Sequence, residues 1–118
     1  MNTAICILNV KDYTALDIAL TSGEGEIIHR LILDAFRKGF NVIVDFEGIR
    51  AINTAFLNTA IGKLYSKYDS PYLNRHLSIH NISDSDLRYL KKAIETAIEY
   101  YKNPVNFKNS VKKAFHNG

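Results

Sequence analysis

Apolar residues recur along this chain with two different periods, and the switches between them predict the elements. Ala4–Val10 (AICILNV) is a short apolar run, and Leu16–Leu20 (LDIAL) alternates Leu, Ile and Leu with polar or small residues. Both read as strands, and Lys11-Asp12 with Tyr13-Thr14 reads as a reversal between them, so a β-hairpin with one buried side is expected. Ser22-Gly23-Glu24-Gly25 breaks the strand pattern and reads as a helix-entry turn. Beyond it Ile27, Ile28, Leu31, Ile32, Ala35 and Phe36 fall on one helical face. Glu24 and Glu26 suit the positive end of that helix and Arg37 and Lys38 its negative end, with Gly39 as the stop.

Val42–Phe46 (VIVDF) is almost continuously apolar, the pattern of a central parallel strand covered on both faces. A second helix is expected from about Thr54 to Tyr68, with Phe56, Leu57, Ala60, Ile61, Leu64 and Tyr65 as its buried stripe and Asn53 or Thr54 as its N-cap. Asp69–His76 reads as a loop carrying Pro71, and Leu77–His80 as a short strand. Ser83 and Asp86 have capping-box spacing. Leu87, Leu90, Ile94, Ala97, Ile98 and Tyr101 mark a long last helix ending before Pro104, and Val105–Phe115 reads as a further helical piece or a tail. The order β-β-α-β-α-β-α predicts an α/β fold, a mixed sheet of about four strands packed by helices, with residues 1–103 as one domain and 104–118 as a basic tail or short extra helix.

Composition adds limits. At 118 residues and 47% hydrophobic, the chain is one domain long and needs no metal or disulfide to fold. The single Cys6 sits in an apolar run and reads as a buried thiol. No signal peptide and no run of about 18 apolar residues is found, so a cytoplasmic location of bacterial type and no membrane association are expected. Of fifteen cations, four lie between Lys102 and Gly118 with no acid among them, leaving eleven cations against twelve acids elsewhere. The basicity belongs to the tail, where Lys108, Lys112 and Lys113 follow Lys102. A nucleic-acid-associated role through that tail is the alternative reading, and it requires binding that weakens steeply with salt.

The central stretch NVIVDFEGIRAINTAFLNTAIGKLY carries the most information. Its pieces read Ser22-Gly23-Glu24-Gly25, then Val44-Asp45-Phe46-Glu47-Gly48-Ile49, then Ile52-Asn53-Thr54-Ala55-Phe56-Leu57, then Ile79-His80-Asn81. From Ala4 to Tyr101 this resembles the STAS domains, and most closely the STAS-like domain family of unknown function. STAS domains include bacterial anti-anti-sigma factors, in which a helix begins near an Asp-Ser-Ser-Gly run. There a histidine-kinase-like ATPase binds the surface and phosphorylates the second serine. Laid on this chain without gaps, the run falls on Asn53-Thr54-Ala55-Phe56. The resemblance therefore places Ala55, without a hydroxyl, at the phosphoacceptor position, and Thr54 is the nearest possible phosphoacceptor.

A loop-and-helix surface of Glu47, Gly48, Arg50, Asn53, Thr54 and Asn58 is thus the expected partner-binding site, with a protein partner such as a histidine-kinase-like ATPase. Asp45 is expected to orient the loop by accepting backbone hydrogen bonds and Gly48 to permit a tight turn; Arg50 is expected to be exposed beside the helix start, as a solvated arginine before a contact to an acidic partner or a phosphate. No catalytic residue, cofactor or metal site is expected. Ser22–Gly25 lacks the Gly-Lys-Ser/Thr ending of a phosphate loop, and His29, His76, His80 and His116 lack metal-ligand spacing. An enzyme would rest on Asp45 and Thr54 alone.

Overall fold

The computed structural model describes residues 4–19 and 21–102. Three strands, β1 (Ile5–Asn9), β3 (Asn41–Asp45) and β5 (Leu77–His80), form a parallel sheet with β3 in the middle. Register runs from Ile5 opposite Asn41 to Asn9 opposite Asp45, and from Val42 opposite Leu77 to Asp45 opposite His80. The expected hairpin does not form. Val10–Tyr13 winds into a 3-10 turn, and β2 (Ile18–Ala19) leaves the sheet to pair in parallel with β4 (Ala51–Ile52). The described strands make a three-stranded and a two-stranded parallel sheet, in place of the expected mixed sheet. The physical reason is burial. Leu8 and Val10 reach the core only if β1 lies beside β3, and the helix between these two strands then makes a crossover that requires them to be parallel.

Helix α1 (Ser22–Arg37) begins earlier than the Gly-containing run implied. Thr21 is its N-cap: Glu24 N donates to Thr21 Oγ1 at 3.0 Å, and Thr21 N donates to Glu24 Oε1 at 3.3 Å. This reciprocal capping box outweighs the low helix propensity of the two glycines. The second Glu24 oxygen accepts from Ala15 N at 2.9 Å, tying the preceding loop to the helix start. Gly25, Ile28, His29, Ile32, Leu33, Ala35 and Phe36 are buried, whereas Ile27 faces solvent.

The second helical stretch divides. Helix α2 (Thr54–Ala60) is followed by a 3-10 segment at Gly62–Ser66. Asp69–His76 is not a loop. Asp69 accepts from Tyr72 N at 2.9 Å and caps helix α3 (Ser70–His76), with Pro71 in the first turn where its missing N–H goes unused. Helix α4 (Asp84–Lys102) starts where Ser83 Oγ accepts from Asp86 N at 3.1 Å. It buries Leu90, Ala93 and Ala97 and lies against Gly62, whose added Cβ would sit 3.6 Å from Ala97 Cβ.

The two small strands decide how α1 and α2 meet. Ala19 pairs with Ile52, so Thr21 and Asn53, the caps of the two helices, start side by side. The helices then approach so closely that a Cβ on Gly25 would lie 2.7 Å from Phe56 O and 3.0 Å from Thr59 Cβ. Beneath them Phe46 and Phe56 meet edge to face, with ring centroids 6.3 Å apart. Coverage of the main sheet is one-sided among the described residues. Val42, Val44 and Leu8 are buried under α1; on the other face Ile43 of β3 is half-buried and Ile5 and Ile7 of β1 are 59% and 57% exposed, so the burial expected on both faces of β3 is met only in part. The expected tail elements at Val105–Phe115 lie outside the described residues.

Gly25→Ala is expected to destabilise the fold by about 1–3 kcal/mol, because backbone atoms of α2 stand in the way. Gly23→Ala, with only Thr21 Oγ1 at 4.0 Å, is expected to be neutral or stabilising by up to about 1 kcal/mol. Denaturant unfolding of both variants checks the pair. His29 gives a second expectation. Burial first, then the positive charge of Lys63, holds its imidazole below the ordinary value of 6.5, and its Nδ1 has no partner. The unfolded chain takes up this proton more readily, so stability is full above about pH 6.5 and falls as the pH drops through that value. A His29→Leu variant is expected to flatten the slope of unfolding midpoint against pH between about 7 and 5.

Candidate functional site

Parallel strands end together, and here the carboxyl ends of β3 and β5 are tied by one side chain. Asp45 is the last residue of β3, and its Oδ1 accepts from Glu47 N and from Asn81 Nδ2, both at 2.9 Å. The first bond shapes the turn Phe46–Ile49, closed by Ile49 N donating to Phe46 O at 3.0 Å. The second reaches the turn after β5. Each turn has one left-handed residue, Gly48 at φ 80° and Asn81 at φ 58°. Gly and Asn are the residue types that enter this region at least cost. The same two hydrogen bonds, Asn81 first, hold the Asp45 carboxyl below its ordinary value. The loop-orienting role expected of Asp45 is therefore present, and Asn81 is its second partner.

The six expected surface residues divide by neighbourhood. Glu47 and Gly48 are exposed on the turn, with the aliphatic stem of Lys11 against Gly48, where an added Cβ would be 3.1 Å from Lys11 Cδ. Arg50 belongs instead to the two-stranded sheet. Its Nε and Nη2 donate to Asp17 at 2.5 and 3.0 Å, and its backbone N donates to Asp17 O at 2.7 Å. Arg50 is therefore not simply solvated: its acid is Asp17 of the same chain. This exposed pair lowers the Asp17 carboxyl and adds little to stability.

Asn53 looks inward. Its side chain accepts from Phe56 N at 3.0 Å, so Asn53 caps α2, and Thr54 does not. Thr54, Ala55 and Asn58 are exposed on the outer side of α2, while Phe56, Leu57 and Ala60 are buried. Asn58 borders a hollow of about 140 Å³ shared with Gly62, Ala93, Thr96, Ala97 and Tyr100 of the adjoining elements. Sequence reasoning missed Asp17, Lys11 and the α4 residues beside Asn58. A left-handed Asn81 after a strand has a local signal, but these others come from distant segments and have none.

Among the described residues, His29 is buried and His80 is exposed. His76 Nδ1 lies 2.7 Å from Asn41 Oδ1 and its ring meets Tyr72 at 4.3 Å. Among the described residues no helix is long and apolar enough to cross a membrane.

Asp45→Ala removes the acceptor for two hydrogen bonds and is expected to destabilise the fold by about 1–3 kcal/mol. Because the folded carboxyl is the more acidic one, its contribution is complete above the unfolded value of 3.8 and is lost as the pH falls below it. The unfolding midpoint of Asp45→Ala is therefore expected to decline less steeply than that of the wild type as the pH is lowered below about 4.

Residues 24–87, from the first turn of α1 into α4, match the model of a protein family described as a STAS-like domain of unknown function. Comparison with curated proteins and with solved structures found no match.

Proposed function

We propose a regulatory, non-catalytic protein-binding role for this chain, which belongs to the STAS-like domain family of unknown function. The docking surface is the outer side of the first turns of α2, Thr54, Ala55 and Asn58, flanked by the Glu47–Gly48 turn. One observation carries this reading: Asn53 takes the capping task, which leaves the Thr54 hydroxyl on an exposed helix start outside the capping hydrogen bond. The inner side of the same helix is committed to the core, so a partner can be exchanged on the outer side without unpacking the domain.

The partner is a signalling protein, with a histidine-kinase-like ATPase favoured by the likeness to anti-anti-sigma factors. Occupancy of that partner by this domain releases or restrains a third component. Arg50, neutralised by Asp17, stands at the rim as a fixed polar contact and not as a free charge. Phosphate on Thr54 would add about −1.5 to −2 charges to the centre of the surface and so gate binding.

Binding to a histidine-kinase-like ATPase from the same genome tests the reading. Ala55→Arg places a bulky cation on an exposed position and is expected to weaken binding roughly tenfold or more, about 1.4 kcal/mol, with unchanged thermal stability. Thr54→Glu is expected to shift the affinity, and Thr54→Val to abolish any phosphate that mass spectrometry finds after incubation with ATP. Wild-type affinity in both Ala55→Arg and Thr54→Glu would remove the proposed surface.

A further inference from the structure

A groove of about 430 Å³ opens at the end of α4, far along the chain from the turn and the α2 surface. Tyr65, Tyr68 and Pro71 line it from the 3-10 segment and the start of α3, and Ile98, Tyr101 and Lys102 line it from α4. Its walls are largely apolar, and burial raises the phenol pKa of both Tyr65 and Tyr101. Lys102 is also the last described residue, so the sixteen residues that follow leave from the mouth of this groove.

We propose that the groove seats the chain's own next segment, with Val105 and Phe107 as its two apolar anchors. The sequence beyond Lys102 is suited to turning back. Pro104 cannot continue a helix, and a residue before proline favours extended backbone, so the sequence directs the chain off the α4 axis at this point. Ile98, one turn before the last described residue of α4, is a wall of the groove. Val105 and Phe107 are two apart, so in an extended segment both project to the same side, with Asn106 directed away. Lys108, Lys112 and Lys113 come only after these two apolar residues.

A second copy of the chain is a weaker occupant. It would have to displace a tethered segment whose effective concentration is in the millimolar range for a short linker. The exposed Ile5 and Ile7 of β1 offer the segment another apolar seat, but the chain does not leave the fold there.

The sequence contains no tryptophan, so Phe107→Trp in the 118-residue chain makes a single reporter. Blue-shifted emission protected from acrylamide is expected, independent of protein concentration. Pro71→Asp or Val105→Asp in that background is expected to return the emission and quenching to those of an exposed indole, while Ile7→Ser leaves both unchanged. Pro71 and Val105 serve as two separate probes, and Pro71 is exposed, so the fold does not depend on it. Emission of an exposed indole in the parent reporter overturns the proposal. So does protection that survives both Asp substitutions, disappears with Ile7→Ser, or appears only as the protein concentration rises.

Discussion

The close approach of α1 to α2 at Gly25 is the constraint on which this architecture rests. Only a residue without a side chain lets the Phe56 carbonyl come within 2.7 Å of the place where a Cβ would stand. The approach brings Ile28, Ile32, Phe56, Leu57 and Ala60 into one buried cluster above Val42 and Val44. It depends in turn on β2 and β4, which pair only two residues each yet start both helices side by side. A short ladder with little stability of its own is held because the helices it launches bury apolar surface.

A second element of order is the Asp45 carboxylate. A parallel sheet leaves its strand ends to be organised by loops, and here a single oxygen serves two of them. The turn bearing Glu47 and Gly48 is consequently braced against the turn bearing Asn81, and the chain proceeds from a fixed point into β4 and α2. For the docking proposed above, rigidity upstream of α2 would help, since a surface presented in one orientation loses less conformational freedom on binding. The outward residues of α2 are small or polar, while every large side chain of that helix points to the core.

Local chemistry explains what could be read early. α1, β3, β5 and α4 follow from periodic apolar positions, and the family likeness follows from the residues between Val44 and Leu57. Asn53 as cap and Asp45 as turn-former also follow from side chains that act within two or three residues of themselves. The hairpin failed because its two strands have better partners that are distant in sequence, β3 for β1 and β4 for β2. Helix α3 was missed although Asp69 and Pro71 are good start signals, because seven residues carry too little apolar period to stand out.

What the sequence by itself determined, then, is that the longer periodic segments are helix or strand, where the caps of α2 and α4 lie, and that a polar helix start follows a buried strand. Those are short-range matters of side-chain volume, backbone freedom and hydrogen bonds between neighbours. Only the tertiary structure decided that all paired strands among the described residues are parallel, that Arg50 is already engaged by Asp17, and that one side of the main sheet exposes Ile5 and Ile7. Each of these depends on contacts between segments more than 30 residues apart, or on which layer covers which. A linear pattern of apolar and polar residues records that a face is apolar, but not what comes to lie against it.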